Sequence, residues 1–391
     1  MMNRAPLGLM GDLLLLTALM LAPTVVRAQE PGQAKSSPAA VSQYRDAVAF
    51  QNRGIYDLAA DEWQKFLENF AADPLAGKAQ HYLGVCRLQL KQYDQVIASF
   101  KVGIEKRPDQ ELLPTTYLNL GLAQYSGAQA GKKELYRAAA DTFTTLEKKF
   151  PKNEAVPQAV FYAAEALYGG GDKEQASALY TRYLKENPTG SLRPDAVYAL
   201  GVTQEELGKA TEAAAQYDSF LKEFADHRLR AEVIMRRAET LFAAKQFKPA
   251  AQWFDSAARH PNFALADYAL LRKGATQYEQ KDYAKAAATY ASLIEKYPNS
   301  SHAAAARLAA GNCYYLSGEF AEANRHLKPV ISAGGEPAVE AAHWIARALI
   351  KQRHPDKALK LAERMSAKAG QAPFAPNLLM DRADAAYELD P

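Results

Sequence analysis

Two cysteines, seven histidines and two glycine-rich runs are the residues of this chain whose types offer chemistry. Thiols supply nucleophiles, disulfides or soft metal ligands, imidazoles supply bases and metal ligands, and glycine-rich loops turn backbone N–H groups toward phosphate. Their spacing supports none of these uses. His81, His227, His260, His302, His326, His343 and His354 never form an HxxxH or HExxH pair, and a metal site needs several converging ligands. The run Gly127-Ala-Gln-Ala-Gly131-Lys132 is one residue short of a phosphate-binding loop, has Lys133 where Ser or Thr is required, and follows no strand. Gly169, Gly170 and Gly171 read as a turn between helices. With no nucleophile elbow, paired-carboxylate setting or dinucleotide fingerprint, the sequence points away from an enzyme and implies no cofactor and no bound metal.

The remaining side chains suited to recognition are aromatic, and their spacing leads to the elements that must carry them. A small residue returns at Ala47, Gly84, Gly121, Ala164, Gly201, Ala238, Gly274, Gly311, Ala346 and Ala383, at spacings of 37, 37, 43, 37, 37, 36, 37, 35 and 37. One structural unit has therefore been copied about nine times. Twelve positions after the anchor comes a second small residue in eight copies (Val96 in one of them), with Ala139 filling the role in the copy that carries an insertion. Four later comes a bulky one in most: Trp63, Phe100, Phe143, Tyr180, Tyr217, Phe254, Tyr290 and Leu327, the ninth copy having Ala362. Small residues at matched heights let two antiparallel helices approach, and the bulky residue fills the space between one hairpin and the next. Gly54, Gly171, Gly208 and Gly318 sit between the helices, and Pro108, Pro151, Pro188, Pro261 and Pro298 stop the second helix by lacking an N–H. The expected fold is all-α: a solenoid of about nine helical hairpins over residues 42–391, closed by a lone helix from about Ala375 to Leu389.

This order of small residue, alanine, aromatic and proline resembles the tetratricopeptide repeat. Asp267 to Ser300, with Gly274, Tyr278, Tyr283, Ala286, Tyr290 and Pro298, carries most of the signature positions. The resemblance implies a right-handed superhelix whose concave face is lined mainly by first helices. The usual period of 37 exceeds the family's basic 34. The longer linkers, as at Tyr297 to His302, are similar to those of bacterial envelope members such as outer-membrane assembly factors and the Tol-Pal-associated coordinator. No single protein is matched, since a lipidated cysteine and an N-terminal coiled coil are both missing.

Counting from the anchors sorts the candidate sites. Cys86 and Cys313 both fall two residues after an anchor, where other copies hold Ala or Thr, so each reads as a small packing residue. Four residues after the anchor stand Tyr125, Tyr168, Phe242, Tyr278, Tyr315 and Tyr387; three before it stand Tyr44, Phe161, Tyr198, Met235, Leu271, Leu308 and Met380. Together they form an aromatic stripe. By the resemblance Tyr125, Phe161, Tyr168, Tyr198, Phe242, Tyr278 and Tyr315 line the groove and grip a peptide or partner helix; the alternative is that these rings are packing common to such arrays. His81, His343, Glu165, Glu239 and Asn312 lie on or beside that face. The third copy has six extra residues around Ser126 to Glu134, either a grafted site or a tolerated surface insertion. The charges of the last helix, Asp381, Arg382, Asp384, Glu388 and Asp390, suit a solvent-facing cap, and equally a chain that continues.

A composition of 48% hydrophobic and 23% charged residues is that of a folding protein, and a net charge of +3 with interspersed signs gives no footprint for nucleic acid. Residues 1–28 read as a cleavable signal peptide: Arg4, an apolar run from Leu13 to Val26, and Val26-Arg27-Ala28 before the cut. Fourteen residues reach about 21 Å, short of a hydrocarbon core of about 30 Å, so the mature chain is expected to carry no membrane span. No cysteine near the cut offers a lipid anchor, and residues 29–41 read as a disordered linker. The functional expectation is a periplasmic or secreted, non-catalytic scaffold of the cell envelope with a protein or peptide partner. The alternative is the solenoid region of a larger export or peptidoglycan-processing protein whose active or barrel domain lies beyond Pro391.

Overall fold

The structure, a computed structural model, describes residues 36–390. The signal-peptide reading and residues 29–35 of the linker lie outside the described residues. Among the described residues there are nineteen α-helices and no strand. Nine hairpins follow one another: α1 Pro38–Asn52 and α2 Tyr56–Asn69; α3 Ala76–Gln89 and α4 Tyr93–Glu105; α5 Leu113–Gln129 and α6 Leu135–Lys149; α7 Val156–Gly169 and α8 Lys173–Glu186; α9 Arg193–Glu206 and α10 Ala210–Glu223; α11 Arg230–Ala243 and α12 Phe247–Ala258; α13 Ala266–Glu279 and α14 Tyr283–Lys296; α15 Ala303–Leu316 and α16 Phe320–Ala333; α17 Glu336–Lys351 and α18 Pro355–Ala369. The unpaired α19, Ala375–Leu389, ends the series. The chain divides after Ala213, inside α10, into two compact units. Helix α1 begins four residues before the expected start of the array, because Ser37 caps it by accepting from the Ala40 N–H at 3.1 Å and Pro38 occupies the first turn.

In each unit consecutive helices pack on one another, and first helices of adjacent copies also touch, as α5 does α7 and α15 does α17. The two helices of a hairpin are buried differently. In α5 every residue from Thr116 to Ala128 is buried, whereas α8 buries only Ala176, Tyr180 and Tyr183. A first helix is enclosed by its own partner and by the neighbouring copies, so it is small or apolar nearly all round; a second helix needs only one stripe.

That stripe meets the anchor. A Cβ placed on Gly84 would lie 2.4 Å from the Phe100 ring, on Gly121 2.4 Å from Phe143, on Gly274 2.6 Å from Tyr290, and on Gly311 2.3 Å from the Leu327 side chain. The bulky residue therefore closes its own hairpin over the missing side chain. It also reaches the next copy, as expected: Trp63 stacks on Tyr82 with centroids 5.6 Å apart, and Phe143 on Tyr162 at 6.1 Å.

The turn between helices recurs seven residues after the anchor with positive φ. Gly54, Gly171, Gly208 and Gly318 fill it in four copies, but Lys91, Lys245, Lys281 and Arg353 adopt the same left-handed conformation in four others. The disfavour of roughly 1 kcal/mol for a side chain there is small beside the burial of a whole hairpin.

The insertion in the third copy is not a surface loop. Helix α5 continues through Gln129 and α6 starts at Leu135, so most of the extra residues lengthen helices, and Ser126, Gly127 and Ala128 are buried. Lys132 in the turn holds Asp94 of the preceding copy at 2.5 Å. At the terminal helix Arg382, Glu388 and Asp390 face solvent, as the cap reading expects, and one charge does not. Asp381 is 1% exposed and bonded to His343, while Met380 and Tyr387 are 66% and 69% exposed.

Anchors tuned to glycine should resist a methyl group. Gly84→Ala is expected to destabilise the first unit by about 1–3 kcal/mol, since the ring of Phe100 has no room to retreat. In hairpins whose anchor is already alanine the same clusters hold Ala47 with Trp63 and Ala164 with Tyr180, so Ala47→Gly should cost less than Gly84→Ala. Denaturant midpoints of the two variants check the order.

Candidate protein-binding face

The expected aromatic stripe divides once side chains are placed. Phe161 and Tyr198 are 1% and 2% exposed, Tyr125 is 8% exposed, and none of the three presents a ring to a partner. The reason is geometric. Positions three before and four after an anchor share the anchor's own side of the first helix, and that side faces the second helix of the same hairpin. Phe161 meets Tyr180 and Tyr183 of α8 at 6.0 and 5.8 Å, and Tyr44 meets Trp63 and Phe66 of α2 at 4.8 and 5.9 Å. Rings four after the anchor sit at the turn, beside the residue that opens the second helix: Phe242 on Phe247 at 5.5 Å, Tyr278 on Tyr283 at 5.4 Å, Tyr315 on Phe320 at 5.6 Å. There they are only partly covered. Tyr168, Phe242 and Tyr315 are half-buried, and Tyr278 is 38% exposed.

Two of the polar residues near the stripe serve the interior. Glu165 is buried and accepts from the Tyr180 hydroxyl at 2.5 Å and the Tyr125 hydroxyl at 3.2 Å, while Gln129 donates to Tyr125 at 3.1 Å. Burial raises the Glu165 pKa and the two hydroxyl donors oppose that rise. Tyr125 is thus a partner of a core carboxylate, the role opposite to a groove contact. Glu239 holds Arg272 by two bonds of 2.7 Å, and that guanidinium lies 4.2 Å from the centre of the Phe242 ring, covering it. Asn312 has its side-chain oxygen buried with no hydrogen-bond partner.

In the second unit α13, α15 and α17 each carry an accessible ring, Tyr278, Tyr315 and Trp344. Trp344 packs against Tyr315 at 5.2 Å, and Phe374 follows at 6.5 Å. The Trp344 ring N–H donates to Glu340 at 3.3 Å, and Glu340 is among the charges that, after burial, raise the Tyr278 pKa. Arg347 binds Asp384 at 2.6 Å; although burial opposes its charge, Tyr315 and the carboxylates Asp381 and Asp384 hold its pKa above the ordinary value. Trp344, Glu340 and Arg347 lie outside the positions counted from the sequence. The signal available was that Trp344 is the one tryptophan on a first helix among the described residues, Trp63 and Trp253 being on α2 and α12.

Family models described as tetratricopeptide repeat match residues 42–111 and 198–264, and a further one matches residues 268–300. The chain carries tetratricopeptide repeats in these segments. A model described as outer membrane lipoprotein matches residues 123–211 of the same array. Among solved structures, the apo form of RapI is 11% identical over 80% of this chain and 98% of its own, with a TM-score of 0.51. The C-terminal part of a TPR repeat-containing protein from Cytophaga hutchinsonii is 18% identical over 63% and 96%, with a TM-score of 0.52. A tetratricopeptide repeat protein from Parabacteroides merdae is 15% identical over 68% and 99%, with a TM-score of 0.43. The first two share the helical repeat fold. No curated protein sequence matches this one. As a tetratricopeptide array the protein belongs to the class of protein-interaction scaffolds.

Of the residues that offered chemistry, Cys86, Cys313 and His81 are interior residues of this array. Cys86 and Cys313 are free and buried, and burial pushes both thiols up to about 12. Cys86 lies 3.4 Å from the Gln51 oxygen that also accepts from Trp63 at 3.0 Å. Among the described residues no group of three or more His, Cys, Asp or Glu is placed to hold a metal ion. Native protein at pH 8 is expected to react with a thiol reagent only after denaturant is added; rapid labelling of either cysteine in the folded state would contradict this burial.

His81 gives the first unit a pH dependence. Its Nδ1 is 2.7 Å from the Thr116 hydroxyl, which itself donates to the Leu112 carbonyl at 2.9 Å, so the ring nitrogen carries the proton and donates. Burial lowers the His81 pKa from 6.5 to about 4. Between those values the unfolded chain binds a proton that the folded one does not, so stability rises with pH across the window and falls on acidification. The loss through this residue is expected to reach about 3 kcal/mol from pH 7 to pH 4. Denaturant midpoints measured against pH should fall less steeply in His81→Gln; equal slopes would remove the assignment.

Proposed function

We propose that the protein is a non-catalytic scaffold of the bacterial cell envelope that holds a protein or peptide partner on the first-helix face of α13, α15 and α17. The observation that carries this reading is the contact of Tyr315 with Trp344 at 5.2 Å, with Glu340 and Arg347 beside it and the exposed Tyr278, which feels the Glu340 charge, on α13. Rings with a polar tip, already braced by their neighbours, bind a partner at little loss of side-chain freedom. Glu340 and Arg347 add one charge of each sign, which suits a polypeptide better than an apolar ligand.

The envelope part of the reading is supported by the signal-like residues 1–28 and by the similarity of residues 123–211 to an outer membrane lipoprotein family. No described helix is long and apolar enough to cross a membrane. The first cysteine of the sequence is Cys86, so attachment through lipid at the signal cut is not part of the proposal.

Photo-crosslinking amino acids placed at Tyr278 and Tyr315, and at Lys285 on α14 as a control, test the face in the native envelope. The expected outcome is one common crosslinked band from the first two positions, absent from the third and lost when Trp344 is changed to Ala. No band, or the same bands from all three positions in a folded protein, would remove the face from consideration.

A further inference from the structure

In the first unit a cavity of about 300 Å³ lies between α2 and α4 and is floored by α3. Its polar lining is Gln64, Glu68, Gln80, Arg87, Ser99 and Arg107. The floor is built and satisfied. Gln80 and Ser99 are 5% and 2% exposed, Gln80 donates to the Ser99 carbonyl at 3.1 Å, and the Ser99 hydroxyl donates to the Gln95 carbonyl at 2.8 Å. The two arginines meet only neutral acceptors there. Arg87 donates to the Ser99 hydroxyl at 2.7 Å and to Gln64 Oε1 at 3.2 Å, and Arg107 donates to Gln80 Oε1 at 3.2 Å. Neither is ion-paired among the described residues. A guanidinium has five N–H donors, so three stay free on Arg87 and four on Arg107. Glu68 stands at the rim, exposed, its carboxylate taken up by Gln64 Nε2 at 2.9 Å.

The second unit supplies an internal comparison. A cavity of about 270 Å³ there is lined by Asp255, Arg259, Leu270, Lys273, Thr289 and Tyr297, among others. Counted from the anchors these are the positions of Gln64, Glu68, Gln80, Leu83, Ser99 and Arg107 in the first cavity. Here the bases are neutralised from within: Asp255 holds Lys273 and Arg259, each at 2.7 Å. Asp218 holds Arg237 at 2.7 Å from the same pair of repeat positions one copy earlier. Where these copies place aspartate, the first cavity has Gln64. Its own bases, Arg87 and Arg107, stand where the second unit has Gln277 and Tyr297, and Gln64 gives them no counter-charge.

We infer that this first cavity is an oxyanion site, and that, on the scaffold reading above, it receives the carboxylate of an acidic side chain of the bound polypeptide. Arg87 and Arg107 present converging donors, Gln64 and Ser99 hold Arg87 in place, and the cavity has room for one such side chain. Burial also holds the Arg87 pKa below its ordinary value.

Calorimetry with N-acetyl-tetraglutamate amide, with its glutamine counterpart and with inorganic phosphate tests the inference on the full chain. The expected result is saturable binding of the glutamate peptide, none of the glutamine peptide, and at least a tenfold loss of affinity in Arg107→Gln. The decisive variant is Gln64→Glu, which keeps the shape of the side chain and places a counter-charge on Arg87: it should abolish binding while leaving the melting temperature unchanged or higher. Asp255→Asn should conversely create binding in the second cavity. Absence of peptide binding to the wild type, unchanged affinity in Gln64→Glu, or binding of phosphate without the glutamate peptide would each overturn the carboxylate site. Crosslinking through Tyr278 and Tyr315 is read separately in Gln64→Glu, so loss of the cavity and loss of the scaffold reading give different results.

Discussion

At Gly84, Gly121, Gly274 and Gly311 a bulky side chain on the second helix rests on the backbone of the first. Phe100 on Gly84 and Phe143 on Gly121 leave no room for a methyl group, so the contact sets the distance between the two helices. The same ring extends to the next copy, as Trp63 does to Tyr82, and so one side chain governs spacing inside a hairpin and between hairpins. Burial of the first helices follows from this. With backbones that close there is no gap for water, and polar residues survive on a first helix only where a partner is supplied.

The residue directly after the anchor is where partners are supplied most often. Glu165 takes hydroxyls from Tyr125 of the preceding copy, Glu239 takes Arg272 of the following one, and Arg347 takes Asp384 of the last helix. Each bond runs between consecutive first helices. Alanine-rich surfaces are smooth and define register weakly, whereas a buried carboxylate tolerates only the arrangement that satisfies it. Ion pairs from a second helix to the next first helix, such as Asp255 with Lys273, act in the same sense closer to solvent.

Much of the architecture is legible in the sequence because it depends on local, repeated constraints. The anchor count locates every hairpin, Gly54 and Gly171 mark turns that the backbone takes with positive φ, and the alignment of Cys86 and Cys313 with alanines anticipates their burial. The inserted third copy was visible as six residues, but not that Ser126 to Gln129 continue a helix, since a chain segment with helical propensity extends whichever element it adjoins if its flank is covered. The start of α1 was missed for a related reason: Ser37 and Pro38 make a helix start inside a stretch whose composition alone reads as linker.

The aromatic stripe marks the limit. Periodicity assigns Phe161, Tyr198 and Tyr278 to the same side of a first helix, and that assignment is correct, yet it does not say what covers the side. The structure turns it toward the second helix of the same hairpin, which buries the rings three before the anchor and leaves those at the turn partly open. Likewise the sequence shows Gln64 where later copies have Asp218 and Asp255, but only the packed array reveals that this position answers the cations of the neighbouring copy. The sequence by itself determined the unit, its number of copies and the residues that let helices approach, because these are set by contacts within one hairpin. Which rings remain exposed, and which arginines lack a counter-charge, was decided by tertiary structure, because both depend on what a neighbouring helix places opposite them.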